Sequence, residues 1–535
     1  MNHYQKCGGL VDVVELSPYI LSLEPDAQSR VRSILSSILR GRDRDLVTPL
    51  IGKDVSNPDL ERASLRDEVF PRVANTRYSA LNDLELDQAT KIGSFSIQLP
   101  YWERKDEVHK YFSEKRVSMS SGGLSYGFDR LMELMPRNLE PVSVLTAYDN
   151  MPKGTNMGAP FFSSSDDARL ESFKLAKRAI DEGFPVSGDP CVLFWRGQSK
   201  GLGQVPKQRT VWGYPHWITI LELMLQMALL SELKPLIEFS AWTSGDQVNE
   251  VITAFLNEAS QPILSVDFSG YDASVPEELI RLAFEAIRRS FVPSARRLID
   301  FVEDRFLNIG LLTPEGILIG RSGSVPSGSG LTNLVDGLVQ IMIAHYCAWS
   351  NRNELLHTTV QGDDGVWVFK RPFDLKDISL AAAELGVSLN DDKGGMSHEN
   401  VYYLQNVHSS RYRISGRAVG VRPLMRILNG MLSYERLSSP WTGFDDTIRW
   451  FQQAEAGKYH PHFIVLADFL YRHDVYSRTM DVTTIVRKGG GLEKVSRDLK
   501  ESSFPYGKAP LSKLAMFRIV RELDGLRAKA GKSAG

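Results

Sequence analysis

Residues 263–279, ILSVDFSGYDASVPEEL, constrain the fold more than any other stretch of this chain. Ile263, Leu264 and Val266 form a run more apolar than a half-wet edge strand, so it reads as a buried β-strand. The run ends on Asp267. A second acid, Asp272, follows five positions later, ahead of a helix whose Pro276 suits a first turn. An unpaired carboxylate at the mouth of a buried strand is costly, so Asp267 is expected to face a cation.

A second acidic group stands in HTTVQGDDGVWVF, where two β-rich runs flank Gly362, Asp363 and Asp364. The pattern predicts a hairpin with acids at its tip. If that hairpin lies beside the strand ending at Asp267, three carboxylates converge on a site that can hold two hard divalent ions roughly 4 Å apart. Such ions activate an attacking hydroxyl and stabilise a phosphoryl group and its leaving oxygen, which is the chemistry of nucleotidyl transfer. Alone, a Gly-Asp-Asp triplet is weak, because Asp-Asp also makes ordinary turns. The pairs at 166, 391 and 445 are not nominated as metal ligands.

At 535 residues the chain is too long for one simple core, and several lobes are expected. The formal charge of −2 argues against a polyanion binder held by bulk charge, so any nucleic-acid partner must meet positive residues concentrated in a channel. Cys7, Cys191 and Cys347 lie far apart without metal-ligand spacing, which favours a reducing compartment and no zinc cluster. The N-terminus lacks a basic segment followed by an apolar one, so no secretory signal is expected. In the most apolar window, from Trp217 to Ile237, Thr219, Glu222 and Gln226 trace a polar stripe at helical spacing; the window is expected to be a core helix, not a membrane span.

Near the N-terminus, Val31, Ile34, Leu35, Ile38 and Leu39 make an apolar stripe among arginines, the pattern of a surface helix with a basic outer face. Residues 60–210 carry no regular period. Residues 214–423 read as α+β, a small, largely antiparallel sheet with helices on one face, and 424–535 as mainly helical around the loop VRKGGGLEK.

Taken in order, VDFSGYD, PSGSGLT, GDD and LNDDKGG resemble motifs A, B, C and D of viral RNA-directed RNA polymerases, and the match is closest in kind to the picobirnavirus branch, whose viruses carry segmented double-stranded RNA. The motifs span about residues 155–420. The resemblance implies a right hand of fingers, palm and thumb in an encircled, closed form. Residues 1–60 would be an extension bridging fingers and thumb, 61–213 fingers, 214–423 palm with interleaved fingers segments, and 424–535 thumb and tail. Asp267 and Asp363 would be the main ligands of two Mg2+ or Mn2+ ions, with Asp364 assisting, and Asp272 would recognise the ribose 2′-OH; merely capping the next helix with Ser274 is the alternative.

Ser327 and Gly328 resemble the start of motif B, whose amides and hydroxyl would track a template backbone. Thr332 matches the family threonine. Asp336 stands where many members carry an asparagine, while Asn333 sits beside the threonine; helical geometry puts Thr332 and Asp336 on one face, so Asp336 is chosen. Lys207 and Arg209 resemble the Lys-x-Arg of motif F that grips the incoming triphosphate, with Arg196 and Lys200 lining the same passage. Lys393 is placed like the motif D lysine that protonates pyrophosphate. Thr155, Gly158 and Pro160 are similar to motif G at the template entry, and YYLQNVHSSRYRI to motif E.

The resemblance further implies RNA template and product, ribonucleoside triphosphates and viral capsid protein as partners of a monomer without membrane attachment, in the virion interior and the host cytoplasm. Reverse transcriptase is the enzymatic rival; it usually carries a bulky residue at the place of Asp272 and an aromatic at that of Gly362. A non-catalytic RNA-binding or capsid protein is the rival of another class. Residues 486–509, with their glycine run and lysines, are expected to form a thumb loop supporting initiation without a primer.

Overall fold

A computed structural model describes residues 17–52, 55–185, 188–390, 395–437, 441–499 and 510–533. Its strands are β1 (Cys191–Gln198), β2 (Lys207–Gly213), β3 (Ile263–Val266), β4 (Leu311–Thr313), β5 (Gly316–Leu318), β6 (Leu355–Gln361), β7 (Asp364–Phe369), β8 (Gly395–Ser397), β9 (Asn400–Tyr403) and β10 (Asn406–Ser409). Helices fill the chain before β1 and after β10.

The sheet that organises the middle of the chain has the order β6-β7-β3-β8 and is antiparallel throughout. Every residue of β3 is buried, and strand alternation divides them between two cores. Leu264 and Val266, with Trp367 and Phe369 of β7, join the core of the long helix Thr332–Ser350. Ile263, Val366 and Val368 pack instead with Val248, Val251, Ile252 and Phe255 of helix Gly245–Glu258. Helices therefore cover both faces, not one as expected. The cause is the apolar residues on both alternations of β7, and of β3 apart from Ser265, whose hydroxyl accepts from the Tyr402 amide at 2.9 Å.

A second sheet, β2-β1-β4-β5, pairs β1 with β2 antiparallel and with β4 parallel. Helix Pro25–Arg40 buries Val31, Leu35, Ile38 and Leu39 in the same core as this sheet. The chain then crosses over. Leu50, Ile51, Leu65, Val69, Val73, Ala89 and Ile92 pack with residues between Leu424 and Leu523, before Tyr101 rejoins the first core. Residues 50–92 thus pack on the C-terminal helices, because helix Pro58–Val73 turns its apolar stripe toward them.

Polar contacts seal the crossing. The Thr48 amide donates to Leu432 O at 3.1 Å and the Tyr434 amide to Leu46 O at 2.9 Å. Arg62, fully buried, is held by Asp45 at 2.6 Å and Asp59 at 2.7 Å, the pairing that a buried cation requires. Glu85 accepts from the amides of Leu424 and Met425. The segment 486–509 takes in the end of helix Val482–Lys488 and the whole of helix Leu492–Leu499, and 500–509 lie outside the described residues. No helix among the described residues is long and apolar enough to cross a membrane.

Candidate active site

The register of the central sheet brings its acids together. Val266 of β3 pairs with Gly365 of β7, so Asp267 and Asp364 leave the sheet side by side at the next step. Gln361 pairs with Asp364, leaving Gly362 and Asp363 as a two-residue turn. Gly362 has φ +63° while Asp363 stays at negative φ, the pattern of a type II′ hairpin, which needs glycine at its first central position.

Helix Thr332–Ser350 props that turn from beneath. Gln340 donates to the Asp363 carbonyl at 2.8 Å, reaching across Gly365, where a Cβ would lie 2.3 Å from its amide oxygen. Asn333 accepts from Gln361 at 2.7 Å. Residues 333, 336 and 340 share one helix face, and Asp336 stands between the two supports. On the other side Asn390 donates its backbone amide to the Asp267 carbonyl at 2.8 Å and its side-chain amide to the carboxylate at 3.0 Å.

The hairpin acids have a raised proton affinity. Burial and the charges of Asp363 and Asp267 push Asp364 up to about 7. Burial chiefly, and then Asp267, lift Asp363, with Arg209 pulling the other way. Asp363 is open to solvent, yet protein atoms crowd around it, as at the floor of a concave site. Asp272 is pushed to about 7 by burial and by Asp363. Asp336, almost fully buried, lies well above the usual carboxylate range through burial, Asp272 and Asp363, and its Oδ1 has no hydrogen-bond partner. Asp272 and Asp336 thus share the site with the hairpin acids. The N-cap of helix Glu277–Ser290 is Pro276, without a side-chain cap, so Asp272 does not act as its cap.

β2 presents the opposing cations. Its alternation exposes Lys207 and Arg209 and buries Gln208 and Thr210. Gln208 is fixed by Arg104 at 2.5 Å, Pro206 O at 2.7 Å and Ile97 O at 3.2 Å, and the Arg104 guanidinium lies 4.0 Å over the Trp195 ring. Arg209 acts on Asp272, Asp363 and Asp364, and it faces Arg196 across the β1–β2 ladder. Arg196 is paired with Glu435 at 3.4 Å. Lys200 is exposed in the β1–β2 connection.

The Gly/Ser loop lies against the end of β2. The Ser327 hydroxyl donates to Thr210 O at 3.3 Å and accepts from the Trp212 amide at 3.4 Å, so it faces the β2 backbone. Gly328 touches Trp212 O so closely that a Cβ would stand 1.7 Å from it. Thr332 closes the loop by donating to Pro326 O at 2.7 Å. Beside the acids opens a cavity of about 740 Å³ whose walls include Thr155, Arg196, Arg422, Arg426, Tyr434 and Arg449. Arg426 joins it to the site, since its charge acts on Asp364. Gly158 packs on Tyr214 O and Pro160 lies in the turn closed by Phe161 on Gly158, so of these three residues Thr155 is the one that lines the cavity. Lys393 lies outside the described residues.

Asn333, which sequence reasoning weighs and passes over for Asp336, and Gln340, Asn390 and Arg426, which it does not single out, all belong to this site. The first two had a signal: with Asp336 they are polar residues on one face of an apolar helix. Among the described residues no three Asp, Glu, His or Cys groups form a ready-made metal cage. The donor chemistry of Asp267, Asp363 and Asp364 nonetheless fits hard divalent cations, because the crowded carboxylates of the hairpin have the guanidinium groups of Arg209 and Arg426 as counter-charge.

An antiparallel sheet with acids at one end, a Lys-x-Arg strand facing them and N-terminal helices packed on the C-terminal ones define a right-hand polymerase fold. The model for "Viral RNA-dependent RNA polymerase" matches residues 103–431, and the chain belongs to that family. The "Potential RNA-dependent RNA polymerase" of Human picobirnavirus (strain Human/Thailand/Hy005102/-) is 27% identical over 508 residues, 90% of this chain and 91% of that protein. The "RNA-directed RNA polymerase" of Cryptosporidium parvum virus 1 (strain KSU-1) is 26% identical over 311 residues, 54% of this chain and 56% of that one. The crystal structure of a human picobirnavirus RNA-dependent RNA polymerase superposes with a TM-score of 0.78 at 24% identity, covering 94% of this chain and 100% of that one.

Proposed function

We propose that this RNA-dependent RNA polymerase replicates and transcribes a double-stranded RNA genome, adding ribonucleoside monophosphates to an RNA 3′-OH with two divalent ions, Mg2+ or Mn2+. The observation that carries the reading is the gathering of Asp267, Asp363 and Asp364 at one end of the sheet opposite Arg209. In the reaction the 3′-oxygen bonds to the α-phosphorus, the bond from that phosphorus to the bridging oxygen breaks, and pyrophosphate leaves. Ions held by the three aspartates would activate the attacking oxygen and stabilise charge on the phosphoryl group.

The chain's own residues do the rest. Lys207 and Arg209 hold the triphosphate, Arg209 through a fork of two N–H donors. Asp272 and Asp336 face the ribose, where the unpartnered Oδ1 of Asp336 is suited to a hydroxyl. Gln340, Asn333 and Asn390 keep the acidic turn and Asp267 in place. Template and product RNA occupy the basic cavity that Thr155 and Arg196 help line. Lys393 would supply the proton to pyrophosphate and Lys200 a further contact to RNA. Work as a monomer in the virion interior and host cytoplasm, against capsid protein, belongs to the same reading.

The test is incorporation of labelled ribonucleotides on a synthetic RNA template, with deoxynucleotides as the contrast and chelation of divalent ions as the control. Template-dependent ribonucleotide synthesis lost on chelation is expected. Equal use of deoxynucleotides, or synthesis that survives chelation, would overturn the reading.

A further inference from the structure

The polar stripe Thr219, Glu222 and Gln226 lies on helix His216–Leu233, which follows β2 almost without a break. Glu222 is fully buried. Its two oxygens are spent on the Gly/Ser loop: Oε1 accepts from the Ser329 hydroxyl at 2.7 Å and Oε2 from the Gly330 amide at 2.6 Å. One turn along, Gln226 donates to the Gly330 carbonyl at 2.6 Å. Ser329 Oγ in turn accepts from the Leu331 amide at 3.0 Å, just where helix Thr332–Ser350 begins. The loop presents two donors at this point, and of the common side chains an ionised carboxylate is the one that offers two acceptors without adding a donor.

Glu222 therefore sits at a junction. Upstream of it is the strand carrying Lys207 and Arg209. Downstream, past Gly330, is the helix carrying Thr332, Asn333, Asp336 and Gln340. We infer that Glu222 is a positioning residue, which latches the Ser327–Gly330 loop to the helix that follows the nucleotide-gripping strand, so that template and incoming nucleotide are held in one frame. The inference rests on the reading that this loop faces template RNA.

The other groups packed around the latch leave the Glu222 side chain to the loop. The Tyr214 hydroxyl stands beside it without an aligned hydrogen bond, Cys191 is buried nearby, and Arg321 is held elsewhere, donating to Ser324 O and Phe306 O at 2.7 Å each with its guanidinium 4.7 Å over the Trp212 ring. Burial pushes Glu222 up to about 7, and the hydrogen bonds from Ser329 and Gly330 oppose that rise, with a smaller opposing pull from Tyr214.

The experiment compares Glu222→Gln, Ser329→Ala and their double variant with Gly328→Ala, measuring template KM, kcat at saturating nucleotide and Tm on a short synthetic RNA. Glutamine keeps the shape but sets an amide donor against a loop donor. Each of the first two variants should raise template KM about tenfold with kcat and Tm nearly unchanged, and the double variant should be no worse than either single one. Gly328→Ala displaces the loop directly and should raise template KM as well. Should Gly328→Ala act while Glu222→Gln and Ser329→Ala do not, the latch is refuted and the loop's contact with template stands. If none of them acts, the loop does not meet template and both readings fall. Additive losses in the double variant, or a Tm drop with kcat and KM changing together, would make Glu222 merely structural and overturn the inference.

Discussion

Glu85 joins the N-terminal helices to the C-terminal ones, and its removal has a calculable cost. Helix Leu424–Leu432 opens after Pro423, which offers no side-chain cap. Its first two amides donate instead to Glu85, from Leu424 at 2.6 Å and Met425 at 2.9 Å, across more than 330 residues of chain. His460 Nε2 lies 3.0 Å from Glu85 Oε1, and both side chains are fully buried. Since His460 Nδ1 accepts from the His462 amide at 3.0 Å, a neutral ring carries its proton on Nε2, toward Glu85. Glu85→Ala orphans two helix donors and removes the carboxylate that lies beside His460. Breaking such a buried group costs about 4 kcal/mol, or about 10³ in the equilibrium between closed and open seam.

Native-state hydrogen exchange reads that equilibrium directly. Amides of Leu424–Leu432 should lose about three orders of magnitude of protection in Glu85→Ala, and fewer in Glu85→Gln, while those of β3 and β7 keep theirs. Unchanged protection in the helix would mean that Glu85 is not what holds the seam. An equal loss in β3 and β7 would mean that the seam does not open as a separate unit, and would refute the reasoning as fully.

The site and the latch supply the other expectations. Asp363→Ala should reduce synthesis to background while RNA binding and Tm stay near wild type, and retained synthesis would remove Asp363 from the metal-holding set. Asp272→Ala should lower the preference for ribonucleotides over deoxynucleotides by ~10-fold or more, read as a ratio of kcat/KM values; an unchanged ratio would take Asp272 away from the ribose. Glu222 gives a pH test. Its folded value of about 7 lies above the ordinary 4.5, so the unfolded chain releases a proton that the folded chain keeps between those values. Its contribution to stability is complete below about pH 4.5 and is lost as pH rises to about 7. Glu222→Gln, which does not titrate, should flatten that limb in a series of Tm against pH, and curves that stay parallel would contradict the assignment.

Much of the catalytic end was legible because it is written in spacing. Ile263, Leu264 and Val266 before Asp267, and β-rich runs on both sides of Gly362, are periodic patterns, and the sheet registers follow from them. The alternation of Lys207 and Arg209 with Gln208 is of the same kind. Partners across the chain were not legible in this way. Nothing local to Glu85 announces helix Leu424–Leu432, and nothing local to Asn390 announces Asp267, because these pairs exist only once the fold has closed.

Glu222 and Gln226 mark the boundary between the two cases. As a stripe they show helical period and bury their helix on all other sides, which is what the sequence pattern conveys. Yet a carboxylate in a core helix is costly unless something donates to it, so the stripe also implied an unseen set of donors. The Ser329 hydroxyl and Gly330 amide are that set. Buried polar residues in otherwise apolar helices are therefore the places where a sequence signals a long-range contact without naming it, and in this chain three such helical residues, Glu222, Asp336 and Gln340, all lead to the active site.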